Sequence, residues 1–289
     1  MRAGSQNYTS APGLTTLSVW PPALPGPRRT AILGRMQSST VDVITPDGVA
    51  DAYLTRPDGD RRLPAVLSMI DAIGLRPRIE LMADRIADRG YVVLAPNVFH
   101  RAGRAPVLPL PDLADPDRRA SFMQAVRPLM DQLTPERAAL DGAAYLDHLA
   151  GLAPGPVAIT GYCMGGRLGW RIAAAHPGRV IALGSFHDGG LVTDATDSPH
   201  RSAARLNAEL YFGHADHDPS MTREQIAELE RALDDAGARY RSELYAGAMH
   251  GYTMADTAAY DEGACERHFS ELFALLGRAF GRGEPDRSA

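Results

Sequence analysis

The sequence contains no lysine, because all 30 of its basic residues are arginines. This excludes catalysis through a lysine Schiff base and the phosphate-binding lysine of a P-loop. Cysteine is also scarce: Cys163 and Cys265 are the only two, and neither belongs to a CxxC or zinc-ligand pattern. The sequence therefore predicts no disulfide framework, no metal site and no cofactor, together with a reducing, cytoplasmic location.

The chain also lacks long apolar runs and a strong net charge. No run approaches the ~20 residues that a membrane-spanning helix needs. The net charge of −5 on 289 residues shows no bias toward nucleic acids or anionic membranes. We therefore expect neither kind of partner, and we expect the chain to be a monomer or a weak homodimer.

The two ends of the chain differ in composition from its middle. Residues 1–36 are rich in Pro, Gly, Ser and Thr and have no compact apolar segment of the kind found in signal peptides. We interpret them as a disordered extension, with Met36 as a candidate start, and we interpret residues 282–289 as a flexible tail. Between them, residues 37–281 are predicted to form one α/β domain.

The middle of the chain alternates between short apolar runs and segments with helical periodicity. Strands that alternate with helices favour a mostly parallel central sheet that helices cover on both faces. A proline-rich stretch interrupts this pattern, and we interpret it, residues 101–135, as a lid or excursion. The predicted strands flank a turn at 47–48 and then cover 64–70, 91–96, 156–160, 180–184, 208–212 and 239–245. The predicted helices cover 78–90, 135–151, 164–176, 222–236 and 256–280.

One short stretch, "GYCMGG" at 161–166, links a predicted strand directly to a predicted helix. Glycines two positions before and two after Cys163 would relieve the crowding of so sharp a turn, as in the nucleophile elbow of α/β-hydrolases. The N-terminus of the helix would supply N–H groups and a positive dipole, which stabilise a thiolate and a developing oxyanion. The alternative is that Cys163 is a small buried hydrophobic residue and that the glycines only allow close packing.

An elbow of this kind predicts an acid and then a histidine after the later strands. Asp216 lies just past the predicted strand 208–212, and His250 lies past the strand 239–245. We prefer Asp216 to Asp218 as the acid because it lies nearer the strand end. The alternative for His250 is a plain surface-loop histidine.

Two further polar groups lie near these positions in the sequence. The stretch 214–218 holds two histidines and two aspartates, which could suggest a metal site. Its spacing matches no standard ligand pattern, and a metal would occupy the acid that the triad requires, so we predict none. His187 and Asp188 follow the strand 180–184 and either line the pocket or serve as a turn.

The motifs "GYCMGG", "GHADHDP" (213–219) and "HGY" (250–252) occur in an order that resembles the dienelactone hydrolase family. The stretch 70–101 is similar to that family's segment from the oxyanion loop through the next helix and strand. The resemblance covers roughly residues 41–280. It implies an α/β-hydrolase fold and the hydrolysis of a small carboxylic ester or lactone through an acyl-thiol intermediate.

Site roles follow from the resemblance position by position. It implies that Cys163 is the nucleophile, that His250 is the base, and that Asp216 orients the base. It also implies that the backbone N–H groups of Met164 and Ala72 stabilise the oxyanion.

The same resemblance implies a substrate-binding set. Asp71 takes the place of a glutamate that contacts the thiol in the family, and Arg101 matches the first of two arginines that bind the substrate carboxylate. Met254 stands where the second arginine would fall, and a thioether cannot pair with a carboxylate. We therefore expect small neutral or weakly polar esters to be preferred. A non-catalytic binding protein with the same fold is the alternative function.

Overall fold

One eight-stranded sheet organises the residues that the computed structural model describes, 36–59 and 61–282. All of them belong to one compact unit. The spatial order of the strands is β1-β2-β4-β3-β5-β6-β7-β8. The strands are β1 (Met36–Thr45), β2 (Gly48–Pro57), β3 (Ala65–Met69), β4 (Val92–Pro96), β5 (Val157–Tyr162), β6 (Val180–Phe186), β7 (Glu209–His217) and β8 (Tyr240–Met249).

The sheet is mostly parallel, as predicted. β1 pairs with β2, and β2 with β4, in the antiparallel sense, and every pair from β4 to β8 is parallel. Every residue of β3, β4 and β5 is buried. Successive side chains of a strand point to opposite faces, so both faces of the sheet centre are covered.

Six α-helices accompany the strands in the described residues. They are α1 (Pro77–Ala87), α2 (Pro116–Met130), α3 (Pro135–Leu152), α4 (Met164–Ala175), α5 (Arg223–Asp235) and α6 (Glu262–Ala279), with 3₁₀ turns at His100–Ala102 and Pro199–Arg205. Proline opens α1, α2 and α3, where its missing N–H has no intrahelical partner to lose. No helix within 36–59 and 61–282 has the length and apolar content needed to cross a membrane.

Three boundaries differ by at least four residues from those predicted, and two of them bear on the site. β7 continues to His217 and β8 to Met249, because the two strands stay paired beyond the apolar runs that marked them in the sequence. The last helix begins at Glu262 rather than at 256, where the Asp261 side chain accepts a hydrogen bond from the Ala264 N–H. The stretch predicted as an excursion, 101–135, contains α2 and no strand.

The predicted extension, residues 1–36, lies outside the described residues except for Met36, which begins β1. Of the predicted tail, only Arg282 is described.

Candidate active site

Cys163 occupies the turn between the last residue of β5 and the first residue of α4. Its backbone adopts φ 55° and ψ −120°, a left-handed conformation that is unusual for a residue with a side chain. Its N–H donates a hydrogen bond to the Phe186 carbonyl at 3.1 Å, which ties the turn to the end of β6. The strained residue therefore stands at the carboxyl edge of the sheet, at the N-terminus of a helix.

The glycines around Cys163 are required by the close approach of neighbouring backbone and side-chain atoms. A Cβ on Gly161 would lie 2.5 Å from the Gly165 carbonyl oxygen, and a Cβ on Gly165 would lie 2.2 Å from the Met69 carbonyl oxygen. A Cβ on Gly166 would lie 2.1 Å from Oγ of Ser185. The turn is thus as crowded as the sequence pattern predicts, since real Cβ contacts are never this short.

His250 lies between Cys163 and a carboxylate and contacts both. It lies one residue past β8, with Nε2 3.0 Å from Sγ of Cys163. Its Nδ1 donates to Oδ2 of Asp218 at 2.6 Å. The thiol, imidazole and carboxylate come from the carboxyl ends of β5, β8 and β7, which the parallel sheet brings to one edge.

The choice of Asp216 over Asp218 as the partner of the histidine is wrong in this structure. Asp216 still lies within β7, where its carboxylate accepts hydrogen bonds from Arg223 Nη2 at 2.6 Å and from the Gly247 N–H at 3.0 Å. Asp218 is the first residue after the strand and turns toward His250. The strand end was placed too early in the sequence, so the wrong carboxylate was assigned to the edge.

A serine fixes the second oxygen of Asp218. Oδ1 accepts hydrogen bonds from the backbone N–H of Ser220 at 2.8 Å and from its hydroxyl at 2.6 Å. The carboxylate is therefore anchored through one oxygen and offers the other to His250. Nothing in the sequence pattern singled out Ser220, although an aspartate followed two residues later by serine is typical of such a turn.

The electrostatics of the cluster favour charged groups despite burial. Burial disfavours the imidazolium of His250, but the charge of Cys163 and the hydrogen bond to Asp218 outweigh it and raise the pKa of His250 well above its ordinary value. Burial also opposes ionisation of Asp218, yet its bonds to His250 and Ser220 lower its pKa. The site therefore stabilises an imidazolium between Cys163 and the carboxylate of Asp218.

Two backbone N–H groups face no competing acceptor. Met164 is the first residue of α4, and Ala72 lies in the loop after β3. Within the described residues, neither N–H donates a hydrogen bond outside regular structure, whereas the neighbouring N–H of Ile73 binds Oδ1 of Asp71. These are the two donors that the resemblance implies for an oxyanion.

Asp71 makes no hydrogen bond to the Cys163 thiol in the described part of the chain. Its carboxylate is buried and accepts two hydrogen bonds from Arg76, at 2.7 and 3.0 Å, in addition to the N–H of Ile73. Arg76 also binds Asp256 on the loop before α6, through Nε at 2.5 Å. The carboxylate predicted to contact Cys163 is thus part of a buried ion-pair network, because Arg76 supplies a stronger partner.

The structure does not bring Arg101 to the site as a free cation. Its guanidinium makes two hydrogen bonds to Asp141 on α3, at 2.7 and 2.8 Å, and a third to Asp47 in the β1–β2 turn at 2.9 Å. Met254 is buried, with its sulfur 3.4 Å from Nη2 of Arg76. Arg101 is not placed as the substrate-binding set predicts, because Asp141 and Asp47 already hold its guanidinium.

An arginine that sequence reasoning missed lies beside the residue that follows His250. A Cβ built on Gly251, the residue after His250, would lie 3.6 Å from Nη2 of Arg119 in α2. Its neighbour Arg118 is exposed and pairs with Asp115, whereas Arg119 is half-buried and forms no ion pair with another described residue. No local pattern marked it, because Arg119 and Gly251 are far apart in the chain and only the fold brings them together.

The cluster at 214–218 is dispersed by the fold. His214 is buried, Asp216 binds Arg223, and Asp218 binds His250. No three His, Cys, Asp or Glu side chains among residues 36–59 and 61–282 are arranged to hold a metal ion.

Several sequence relatives of the chain are named carboxymethylenebutenolidase. A putative carboxymethylenebutenolidase of Salmonella typhi is 28% identical over 240 residues, which cover 78% of this chain and 83% of the relative. A carboxymethylenebutenolidase of Rhodococcus opacus is 27% identical over 223 residues, with 74% of this chain and 83% of the relative covered.

Solved structures and the family model agree with the observed architecture. A putative dienelactone hydrolase from Klebsiella pneumoniae superposes with a TM-score of 0.74 at 21% identity, over 85% of this chain and all of that one. This confirms the predicted α/β-hydrolase fold. The model of the dienelactone hydrolase family matches residues 50–280. The chain belongs to the dienelactone hydrolase family.

Proposed function

We propose that the chain hydrolyses small carboxylic esters or lactones through an acyl-thiol intermediate on Cys163. The observation that carries the proposal is the connected series Cys163–His250–Asp218, with 3.0 Å between sulfur and imidazole and 2.6 Å between imidazole and carboxylate. Such a series activates a nucleophile and fixes the tautomer of its base. The names of the relatives, carboxymethylenebutenolidase among them, support an ester-bond substrate.

Acylation begins with the thiolate of Cys163, paired with the imidazolium of His250. The sulfur attacks the carbonyl carbon and forms a tetrahedral oxyanion, which the N–H groups of Met164 and Ala72 stabilise. When the intermediate collapses, the bond from carbon to the leaving oxygen breaks, and that oxygen takes the proton from Nε2 of His250. A thioester on Cys163 remains, and His250 is neutral.

Deacylation uses the same groups in reverse. Neutral His250 removes a proton from a water molecule, whose oxygen attacks the thioester carbon. The second tetrahedral oxyanion collapses with cleavage of the carbon–sulfur bond, which releases the carboxylic acid product and restores the thiolate. Asp218 keeps Nδ1 protonated throughout, so that Nε2 always faces the reacting atoms.

Arg119 is the cation placed to influence the choice of substrate. It stands beside the loop that follows His250, whereas Arg101 is held by two carboxylates. A charge-assisted hydrogen bond to a substrate carboxylate is worth about 1.5–3 kcal/mol. The substrate preference therefore depends on Arg119 and not on the Arg101 and Met254 pair.

The alternative of a non-catalytic binding protein has no comparable observation in its favour. A binding role explains neither the left-handed backbone at Cys163 nor the bonds that orient His250 toward the sulfur. Strain of this kind persists at sites where it serves a mechanism.

Turnover of p-nitrophenyl acetate tests the proposal. The wild type should hydrolyse this ester, and Cys163→Ala should lose the activity to the uncatalysed rate. Cys265→Ala is the matched control, since Cys265 is the other cysteine and is buried in α6. Loss in both variants, or in neither, would contradict the assignment of Cys163 as the nucleophile.

A further inference from the structure

Two residues with side chains adopt left-handed backbone conformations among those described: Cys163, with φ 55°, and His187, with φ 39°. They lie after neighbouring parallel strands, β5 and β6, at the same edge of the sheet. A strained backbone persists only where the surroundings enforce it, and such residues concentrate at functional sites. The mechanism uses the first of the two and leaves the second without a role.

His187 contacts the base directly. The rings of His187 and His250 meet edge to face, with centroids 5.4 Å apart and an interplanar angle of 70°. The His187 ring is itself fixed, because Nε2 is 2.7 Å from the Thr253 hydroxyl and the backbone N–H donates to the Gly213 carbonyl at 2.8 Å. The Thr253 carbonyl accepts a hydrogen bond from Arg78 at 3.0 Å, so this tether is anchored in α1.

Gly189 also lies against the His250 ring. A Cβ on this residue would lie 2.5 Å from Oγ of Ser220 and 3.8 Å from Cε1 of His250. The absence of a side chain thus lets Ser220 reach Asp218 while the backbone stays close to the imidazole. His187 and Gly189 therefore both border the His250 ring, and we call these two residues the wall.

The wall is uncharged where it meets the base. Full burial lowers the pKa of His187 well below its ordinary value, and the charge of His250 adds to this effect. A neutral ring can pack its edge against an imidazolium without charge repulsion. The contact is therefore compatible with both protonation states that the mechanism requires of His250.

We propose that His187 is a positioning residue that holds the His250 ring in the plane from which Nε2 reaches both the sulfur and the leaving oxygen. This role rests on the proposed hydrolysis. It adds that His187 keeps the His250 ring from rotating while Cys163 carries the acyl group. During that interval the contact between Nε2 and a thiolate is lost, and the ring is oriented by the wall, by Asp218 and by the Ser220 hydroxyl, whose Oγ lies 3.4 Å from Nδ1. A misplacement of about 1 Å can reduce a rate about 10²-fold.

The test replaces the ring without adding backbone strain. Asparagine tolerates the left-handed region better than most residues, so His187→Asn removes the ring and keeps the turn. We expect kcat for p-nitrophenyl acetate to fall about 10²-fold and KM to stay within about twofold. His200→Asn is the matched control, because His200 is also buried and bonded to a hydroxyl, that of Ser198 at 2.8 Å. It should leave kcat unchanged.

A folded His187→Asn with kcat within about threefold of the wild type would overturn the proposal, as would an equal loss in His200→Asn. Should His187→Asn fail to fold, Thr253→Val decides, because it keeps the ring and removes its tether. There kcat should fall about tenfold, and an unchanged kcat would overturn the proposal.

A second readout separates this proposal from the proposed hydrolysis. Alkylation of Cys163 by iodoacetamide needs no ester and depends on how well His250 is placed beside the sulfur. The alkylation rate should fall about tenfold in His187→Asn, because a less firmly held His250 ring pairs less well with the sulfur. Esterase activity that survives Cys163→Ala would refute the nucleophile, whereas an unchanged alkylation rate in His187→Asn would refute the positioning role.

Discussion

Oδ2 of Asp218 lies 2.6 Å from Nδ1 of His250, while the carboxylate of Asp216, two residues earlier, binds Arg223 instead. The two aspartates separate because one is the last but one residue of β7 and the other is the first residue beyond it. The two aspartates are only two positions apart, yet Asp218 orients the base and Asp216 forms an ion pair with Arg223.

Replacing each aspartate by asparagine tests this distinction. Asp218→Asn should reduce kcat about 10³- to 10⁴-fold, because the amide no longer holds Nδ1 in its protonated form. Asp216→Asn should change kcat less than about threefold, since its partners are Arg223 and a backbone N–H. Steady-state kinetics with one ester checks both, and a loss confined to Asp216→Asn would contradict the geometry.

The pH dependence of thiol alkylation follows from the raised pKa of His250. The pKa of His250 lies well above its ordinary value of ~6.5, so the imidazolium keeps a positive charge next to Cys163 at neutral pH. Iodoacetamide at about pH 7 should therefore label Cys163 faster in the wild type than in His250→Asn. The two rates should converge above about pH 9, where an unassisted thiol ionises.

Cys265 supplies the internal control for that experiment. Burial raises the pKa of its thiol, so its thiolate fraction at neutral pH is small and its labelling should be slow. Peptide mapping separates the two sites. Equal labelling of Cys163 in the wild type and His250→Asn at neutral pH would contradict the ion pair.

Substrate charge should be discriminated by Arg119 and not by Arg101. For a p-nitrophenyl ester of succinic acid, which carries a free carboxylate, Arg119→Gln should lower kcat/KM about tenfold relative to the neutral butyrate ester. Arg101→Gln should leave that ratio within about twofold and should instead lower the melting temperature, because it leaves Asp141 buried without its partner. Kinetics on the two esters checks the first effect and thermal unfolding the second. A ratio that moves only in Arg101→Gln would contradict the contacts described.

The crowding at the elbow predicts that a side chain added there lowers the free energy of unfolding. In Gly165→Ala the new Cβ would lie 2.2 Å from a backbone oxygen that cannot move aside, so the variant should lose at least about 3 kcal/mol or fail to fold. Gly178→Ala is the matched control, because its Cβ would meet open space and its backbone is not left-handed. Urea unfolding of both variants checks the difference, and an equal loss in the two would show that the elbow is not tightly packed.

Much of this architecture could be predicted from the sequence because its signals are local. Apolar runs and helical periodicity locate the strands and helices, and the glycines at 161, 165 and 166 identify the turn that holds Cys163. His250 could be predicted as well, since the elbow pattern requires a histidine after the last strand.

The remaining site residues depend on contacts between distant segments. The choice of Asp218 turns on how far β7 and β8 stay paired, which the apolar pattern does not encode. Asp71 was assigned to the thiol by resemblance, yet its partner Arg76 is itself held by Asp256, far away in the chain. Arg119 lies beside Gly251, the residue after His250, although the two are far apart in the chain.

Direct observation of the acyl-enzyme tests the central claim most directly. A p-nitrophenyl ester is mixed with the wild type, the reaction is quenched with acid within the first turnover, and the peptides are mapped by mass spectrometry. The account predicts one acyl group on the peptide that contains Cys163 and none in Cys163→Ala. An acyl group on another residue, or turnover that continues in Cys163→Ala, would contradict it.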